Sequence, residues 1–483
     1  MQGILIIGVV LLLSSLSSKV LYRYGIPTLI AFLALGIISG PEVLGLVHFD
    51  NLSFARQISD FALIFIMFSG GFGTSWKAAK RIAFMSGILA TVGVVVTALI
   101  VGFTTHLLLG FGLMESLLLG SIISSTDAAA VFSILRSKKL NLKGNLASTL
   151  EVESGSNDPM ANMLTVVVLG AIMARPQNMF VLFGTQLLIG AACGLAFGRL
   201  AVWVINKIKL DVDGLYFIVC MGLVLVSFAL TGILGGNGFL SVYIAGIIMG
   251  NSRITHRISL IRFFDGITWL MQIMLFFTLG LLSSPSGMRT IWPQGLAVAL
   301  IIMFVARPVA IFLLTSLFKM PFKEKLLVSW VGFRGAAAVV FAIYPLAAGI
   351  PGARTIFNIV FFVILLSVLV QGSLLIPIAK KLKLAGPEPT ALKTFSDYAG
   401  EFHTELLELD ITEASGINGK AIMDVPMPDD VLIVTVKRGD TLITPRGSTV
   451  LMTGDTLLLA ADSKARLVEI DNMAKSHGRI HKL

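Results

Sequence analysis

The chain has 483 residues, of which 56% are apolar and only 13% are charged, with a mean hydropathy of +0.90. Soluble domains carry about 25% charged and about 45–50% apolar residues, so most of this chain has to lie in lipid. That excludes a soluble enzyme and, despite the formal net charge of +10, a nucleic-acid binder.

A span needs about 20 mostly apolar residues to cross about 30 Å of hydrocarbon. By that measure thirteen spans are predicted, centred near residues 12, 34, 65, 95, 124, 160, 192, 224, 244, 274, 305, 336 and 367. The first begins at Met1-Gln2-Gly3 with no basic segment ahead of it and reads as a retained helix, not a cleaved leader. The second reads as broken by Gly36, Gly40 and Pro41. In the sixth, Pro159 follows Asp158 and is expected to open the backbone ladder there, freeing carbonyls beside the carboxylate. Gly190, Gly194 and Gly198 in the seventh allow close helix approach, read as packing within the chain. The ninth span is short. Cys193 and Cys220 both lie in apolar stretches and imply no disulfide framework.

The loops between spans set the orientation. Alternate loops hold seventeen Lys and Arg, among them Lys77, Lys80 and Arg81, whereas the intervening ones hold four: Arg56, Arg175, Arg289 and Arg354. By the positive-inside rule the first set is cytoplasmic, which puts the N-terminus outside and the C-terminus inside. Residues 1–386 carry 27 Lys+Arg against 12 Asp+Glu, and residues 387–483 carry 10 against 15. A basic membrane part therefore precedes an acidic, water-soluble tail. Gly386-Pro387-Glu388-Pro389 reads as a linker. Beyond it, β-rich runs starting at Asp430 and Asp455, punctuated by Gly439 and Gly454, predict a small cytoplasmic α+β domain with hairpins.

Thr126-Asp127-Ala128-Ala129-Ala130-Val131 in the fifth span is echoed by Arg334-Gly335-Ala336-Ala337-Ala338-Val339 in the twelfth. The two spans are seven apart and run in opposite directions, as an inverted repeat with a connecting seventh span produces.

Ionisable residues inside the spans are Asp127, Glu151, Glu153, Asp158, Arg307 and Arg334, with Arg199 near an end. A charge at mid-bilayer costs at least about 2.5–3.5 kcal/mol on insertion scales, so each needs a reason. Glu151 and Arg199 fit structural, end-of-span roles. Asp127 with Asn157-Asp158 reads as functional. Carboxylates, hydroxyls, an amide and freed carbonyls are the oxygen ligands that hard monovalent cations take. The six histidines are scattered and suggest no transition-metal site.

Ser125-Thr126-Asp127, followed one span later by Glu153-Ser154-Gly155-Ser156-Asn157-Asp158, resembles the NhaP/NHE-type monovalent cation:proton antiporters. Phe333-Arg334-Gly335-Ala336 is similar to their Arg-Gly-Ala signature, and Arg307 to the arginine one helix earlier. The tail, through residues 414–420, 433–439 and Gly454-Asp455, resembles the TrkA-C (RCK-C) module. The combination is most similar to the potassium/proton subgroup. The resemblance implies an all-α polytopic membrane protein of the NhaA-like antiporter fold. That fold has thirteen transmembrane helices, an inverted repeat and crossed discontinuous helices. Residues 1–385 would form the exchanger, 386–400 the linker and 401–483 the TrkA-C-like regulatory domain. It also implies that Asp158 takes the proton and the cation alternately, with Asp127, Thr126, Ser154 and Asn157 around the ion. Glu153 would pair with Arg307, and Arg334 would hold the crossing. Gly155-Ser156 departs from the family, where bulkier residues are frequent, and bears on the width of the site.

The expected function is electroneutral exchange of cytoplasmic K⁺ or Na⁺ for external H⁺ in a bacterial inner membrane, by a homodimer without a resident cofactor. The tail is expected to regulate, with a nucleotide or cyclic dinucleotide as its candidate ligand. A Na⁺-selective exchanger is the alternative. A channel gated by the tail is the next rival, but no Thr-Val-Gly-Tyr-Gly filter is present. An intramembrane enzyme would need a nucleophile–base or metal motif that the sequence lacks.

Overall fold

The computed structural model describes residues 2–24, 28–47, 51–137, 140–174, 178–387, 405–413, 415–425, 431–439, 441–461 and 480–482. They divide into two compact units, Met1–Glu388 and Pro389–Leu483.

The first unit is helical, as a chain in lipid has to be when every backbone N–H and C=O needs a partner. Among the described residues seven helices are long and apolar enough to cross a membrane: Leu52–Gly73, Ala83–Leu109, Met179–Lys207, Gly214–Ile233, Arg257–Leu282, Pro285–Phe318 and Ala353–Lys381. Around them stand Gln2–Tyr24, Leu29–Ser39, Gly238–Asn251 and the more polar Leu146–Ile172. Their outward faces stay apolar. Phe180 is 87% exposed and Phe84 75%, and lipid covers such rings without the cost that water imposes.

Two further helices are interrupted. Leu113–Ile123 stops and Ala128–Ser137 resumes after it; Phe322–Trp330 stops and Ala336–Ala347 resumes. The two breaks meet, the backbone N–H of Asp127 donating to the carbonyl of Phe333 at 2.8 Å. Two long helices also carry a π turn, Ile302–Ala306 just before Arg307-Pro308 and Ser367–Gln371. Pro308 lacks the N–H that would bond Phe304 and crowds that carbonyl, and the wider turn absorbs both defects. Such turns are frequent at functional sites.

Three expectations need correction. Gly36 does not break its helix, which runs on to Ser39. Gly36 serves instead a close helix crossing: a Cβ there would meet the Phe277 carbonyl oxygen at 2.3 Å, and one on Gly280 would meet that of Leu33 at 2.4 Å. Pro159 lies within the uninterrupted Leu146–Ile172 helix, because one missing N–H is tolerated where neighbouring helices hold the rod in place. Finally, β1 (Leu140–Leu142) pairs antiparallel with β2 (Ala385–Pro387). Backbone pairing within the first unit thus extends into Gly386-Pro387, where the linker was expected to start; residues 388–400 lie outside the described residues. Gly190, Gly194 and Gly198 pack within the chain, against Asn237, Ile244 and Ile248.

The second unit is a five-stranded sheet of β3 (Glu405–Asp410), β4 (Val431–Arg438), β5 (Thr441–Ile443), β6 (Asp455–Ala461) and β7 (Ile480–Lys482), in the order β5-β4-β6-β3-β7. All its pairings are antiparallel. Alternation aims Val436, Leu457 and Leu459 into a core with Leu409, Ile411 and Leu451. Gly439, at φ 57°, makes the turn after β4. The helical component of the expected α+β domain is, among the described residues, one 3₁₀ turn at Ile422–Asp424; Asp430 lies outside them. Arg438 donates from Nε and Nη2 to the two carboxylate oxygens of Asp455, each at 2.7 Å. These bonds, helped by the Met452 N–H, hold the Asp455 carboxyl below the ordinary aspartate range.

Candidate functional site

A helix that stops at Ile123 leaves its last carbonyls unpaired. Arg334, on the other interrupted helix and 1% exposed, supplies partners. Its Nη1 donates to the carbonyls of Ile123 at 2.5 Å and Ser125 at 2.8 Å. Its backbone N–H donates to Ser367 Oγ at 3.1 Å, inside the second π turn. Gly335, next along, has no room for a side chain, since a Cβ would lie 2.1 Å from Asp127 Oδ2. One helix break is therefore built around the other.

Residues 153, 154, 157 and 158 of the Leu146–Ile172 helix recur at the spacing of one helix face, and their polar groups meet the break and Arg307. Ser154 Oγ donates to the Thr126 carbonyl at 2.7 Å, and Asn157 Nδ2 to Thr126 Oγ1 at 2.5 Å. The Thr126 N–H donates to Asn157 Oδ1 at 3.3 Å. Thr126 is thus held by its carbonyl, its N–H and its hydroxyl. The Ser125 hydroxyl donates to Asp158 Oδ1, and the N–H of Ala130 reaches Asp127 Oδ1 at 3.4 Å.

Two carboxylates on this helix differ in what surrounds them. Glu153 is 1% exposed and accepts from Arg307 Nη1 at 2.5 Å and Nη2 at 2.8 Å. Asp158 is 7% exposed, and among the described residues Ser125 is its hydrogen-bond partner and no arginine or lysine stands within ion-pair distance. It faces a cavity of about 40 Å³ lined by Ser125, Thr126, Asp127, Gln272 and Gly335, with apolar walls that include Leu63 and Phe276. One water needs about 10–15 Å³, so this space suits a small ion with a few waters, not an organic solute.

The structure brings together Thr126, Asp127, Ser154, Asn157 and Asp158, and beside them Glu153, Arg307 and Arg334. Glu151 and Arg199 are exposed and do not line the Asp158 cavity. Gly155 does not widen the site. A Cβ there would meet Tyr243 Oη at 2.9 Å, and Ser156 Oγ donates to that hydroxyl at 3.1 Å. The tyrosine from a neighbouring helix fills the space that a larger side chain would take. The sequence marks out no role for Ser125 and none for Gln272, a lone amide on a long apolar helix. Nor does it mark out Asp60, which lies within the Leu52–Gly73 helix.

Comparison with known proteins matches residues 8–381 to the family described as sodium/hydrogen exchanger, transmembrane, and residues 406–468 to the TrkA-C domain. The K(+)/H(+) antiporter NhaP of Alkalimonas amylolytica is 36% identical over 462 residues, covering 94% of this chain and 80% of that protein. The K(+)/H(+) antiporter NhaP2 of Shewanella oneidensis is 38% identical over 473 residues, covering 96% and 81%. Among solved structures, the sodium proton antiporter MjNhaP1 of Methanocaldococcus jannaschii at pH 8 superposes with a TM-score of 0.70 at 27% identity, covering 79% of this chain and 99% of that one. The chain is an integral membrane transporter and belongs to the sodium/hydrogen exchanger family of cation/proton antiporters.

Proposed function

We propose that this antiporter exchanges cytoplasmic K⁺ for external H⁺ electroneutrally, with Asp158 taking the proton and the cation in turn. The observation that carries the reading is the open side of Asp158: a buried carboxylate that has no cationic partner among the described residues and faces a small cavity with oxygen ligands. Burial favours the protonated acid and a bound cation favours the carboxylate, so each ligand expels the other. Alternating access converts that competition into exchange. Ser125, Thr126, Asp127 and Asn157 complete the ion's surroundings, Ser154 braces Thr126, and the Glu153–Arg307 pair and Arg334 keep the frame in register. K⁺ as substrate is supported by the names of the two relatives that cover nearly the whole chain.

The same reading includes thirteen spans, counting the short and interrupted helices, arranged as an inverted repeat in which the two breaks are counterparts. It has the N-terminus outside and the C-terminus inside a bacterial inner membrane, a homodimer, and a sheet domain that regulates by binding a nucleotide or cyclic dinucleotide. Regulation requires that such a ligand bind one conformation better than the other.

Na⁺ as main substrate is the second reading, favoured by the likeness to a structure described as a sodium proton antiporter. Proton flux from proteoliposomes, with K⁺, Na⁺, Rb⁺ and Li⁺ titrated separately, decides between them. A lower half-saturation for Na⁺ than for K⁺ selects the second, and flux independent of all four cations overturns both.

A further inference from the structure

Asp60 is an ionisable residue that the exchange site does not use. It lies three residues before Leu63, a wall of the Asp158 cavity, on the side away from Lys77 and Lys80. Its side chain is 23% exposed. Tyr344, 4% exposed, donates from its hydroxyl to Asp60 Oδ1 at 2.7 Å. Tyr344 belongs to the half-helix Ala336–Ala347, whose first residues line the same cavity.

The chain of contacts continues beyond Tyr344. Asn162 Nδ2 donates to Tyr344 Oη at 3.3 Å, and Asn237 Nδ2 to Asn162 Oδ1 at 2.8 Å. Asn162 stands one helical turn after Asp158 on the same face. At the outer end, Arg56 Nε is 3.6 Å from Asp60 Oδ2, and the guanidinium lies 4.5 Å from the centroid of the Tyr344 ring. Among the described residues Arg56 and Tyr344 are the charged and titratable groups facing Asp60. A polar chain therefore runs from a partly exposed carboxylate to within one turn of the exchange site, beside the buried rings of Phe239 and Phe341, the second of which packs against Tyr344. Helix adhesion alone does not call for a carboxylate at the wet end of such a chain, and ionisable residues at membrane depth mark ion pathways.

We propose that Asp60 and Tyr344 form a gate on this side of the exchange pathway. Closed, the Tyr344–Asp60 bond ties the half-helix that begins at Ala336 to the Leu52–Gly73 helix and seals the cavity. Open, Asp60 is a carboxylate within reach of a cation or proton arriving from this side, and Arg56 is the tethered cation it leaves. The two are positioning residues, acting through the access of ions to Asp158. The inference rests on the antiport reading, and its assignment to the external side on the proposed orientation.

The test uses the full chain in proteoliposomes with the cation varied on each side separately. Asp60→Asn and Tyr344→Phe are expected to retain exchange while raising the apparent KM on the external side about fivefold or more, the scale of a modest coupling. The cytoplasmic KM stays unchanged, and Asp60→Glu recovers much of the effect. Equal KM values on both sides for wild type and variants, with only a lower melting temperature, overturn the gate in favour of a structural crosslink. A shift confined to the cytoplasmic side upholds the gate and overturns the orientation. Should wild type show no cation-dependent proton flux, the antiport reading fails; amide exchange of residues 336–347 still judges the latch. Tyr344→Phe is expected to speed it, and an unchanged rate overturns the latch.

Discussion

Glu153 and Asp158 stand five residues apart on one helix, both nearly inaccessible to solvent, yet their surroundings are opposite. Glu153 has both oxygens taken by Arg307, whereas Asp158 accepts from a serine and faces a cavity. A buried carboxylate has to be neutralised somehow, by a fixed cation, a proton or a bound ion. The fixed cation makes Glu153 a permanent strut. Among the described residues Asp158 has no such cation, which leaves its charge to a proton or a bound ion, as the proposed exchange requires.

Substituting the open carboxylate gives the largest effect on transport. Asp158→Asn keeps the shape and the hydrogen bond to Ser125 but cannot bind and release a proton in this range. Cation-dependent proton flux in proteoliposomes should fall to the level of empty liposomes, while the purified variant melts at or above the wild-type temperature. Flux at the wild-type rate would return Asp158 to a structural role.

The strut predicts the reverse pattern, a large effect on stability. Removing one partner of a buried pair leaves an uncompensated charge at a cost of roughly 3–5 kcal/mol, whereas removing both is far milder. Thermal melts of Glu153→Gln, Arg307→Gln and the double variant read the coupling. Strictly additive losses would mean that the short contacts carry no net interaction.

Asp127 falls between the two. Its backbone N–H is held by Phe333 and its side chain lies against Gly335, so part of its role is to join the breaks. Asp127→Asn should lower exchange without abolishing it, chiefly by raising the cation KM. Gly335→Ala, which forces a Cβ into that carboxylate, should cost more than Asp127→Asn. The opposite order would show that the packing at the crossing tolerates rearrangement.

These contrasts also mark what the sequence could tell. Local polarity inside apolar runs, at residues 124–127 and 153–158, points to the candidate site because lipid makes such residues costly. What escaped depends on distance in the chain. Nothing near Gly155 announces Tyr243, and nothing near Ser125 announces that its hydroxyl reaches Asp158. Gln272 looks like any lone amide until the fold puts it on the cavity wall. Asp60 escaped because Arg56, four residues earlier, reads as a loop charge, although a span of about 20 residues centred near residue 65 reaches Asp60 and the helix starts at Leu52. Glycine and proline misled where they serve packing, at Gly36 and Pro159, since a residue that permits a break does not require one.

The second unit supplies the smallest and most condition-dependent contrast. Arg438 and Asp455 form a two-pronged pair like that of Arg307 and Glu153, but the Arg438 side chain is 36% exposed and the Arg307 side chain 6%. Water and salt therefore screen the first pair and barely reach the second. Arg438 holds the folded Asp455 carboxyl below the ordinary aspartate value of 3.8. A depressed folded pKa contributes stability that is present above the unfolded value and disappears as pH falls through the folded one. In the full chain, calorimetry should show the tail of Asp455→Asn melting a few degrees lower at pH 7, with the gap closing below pH 4 and shrinking in 1 M salt. The destabilisation by Glu153→Gln should be insensitive to the same salt. A gap at Asp455 that is constant with pH and salt would mean that its bonds to Arg438 and to the Met452 N–H act as neutral hydrogen bonds would, and that exposure does not distinguish the two pairs.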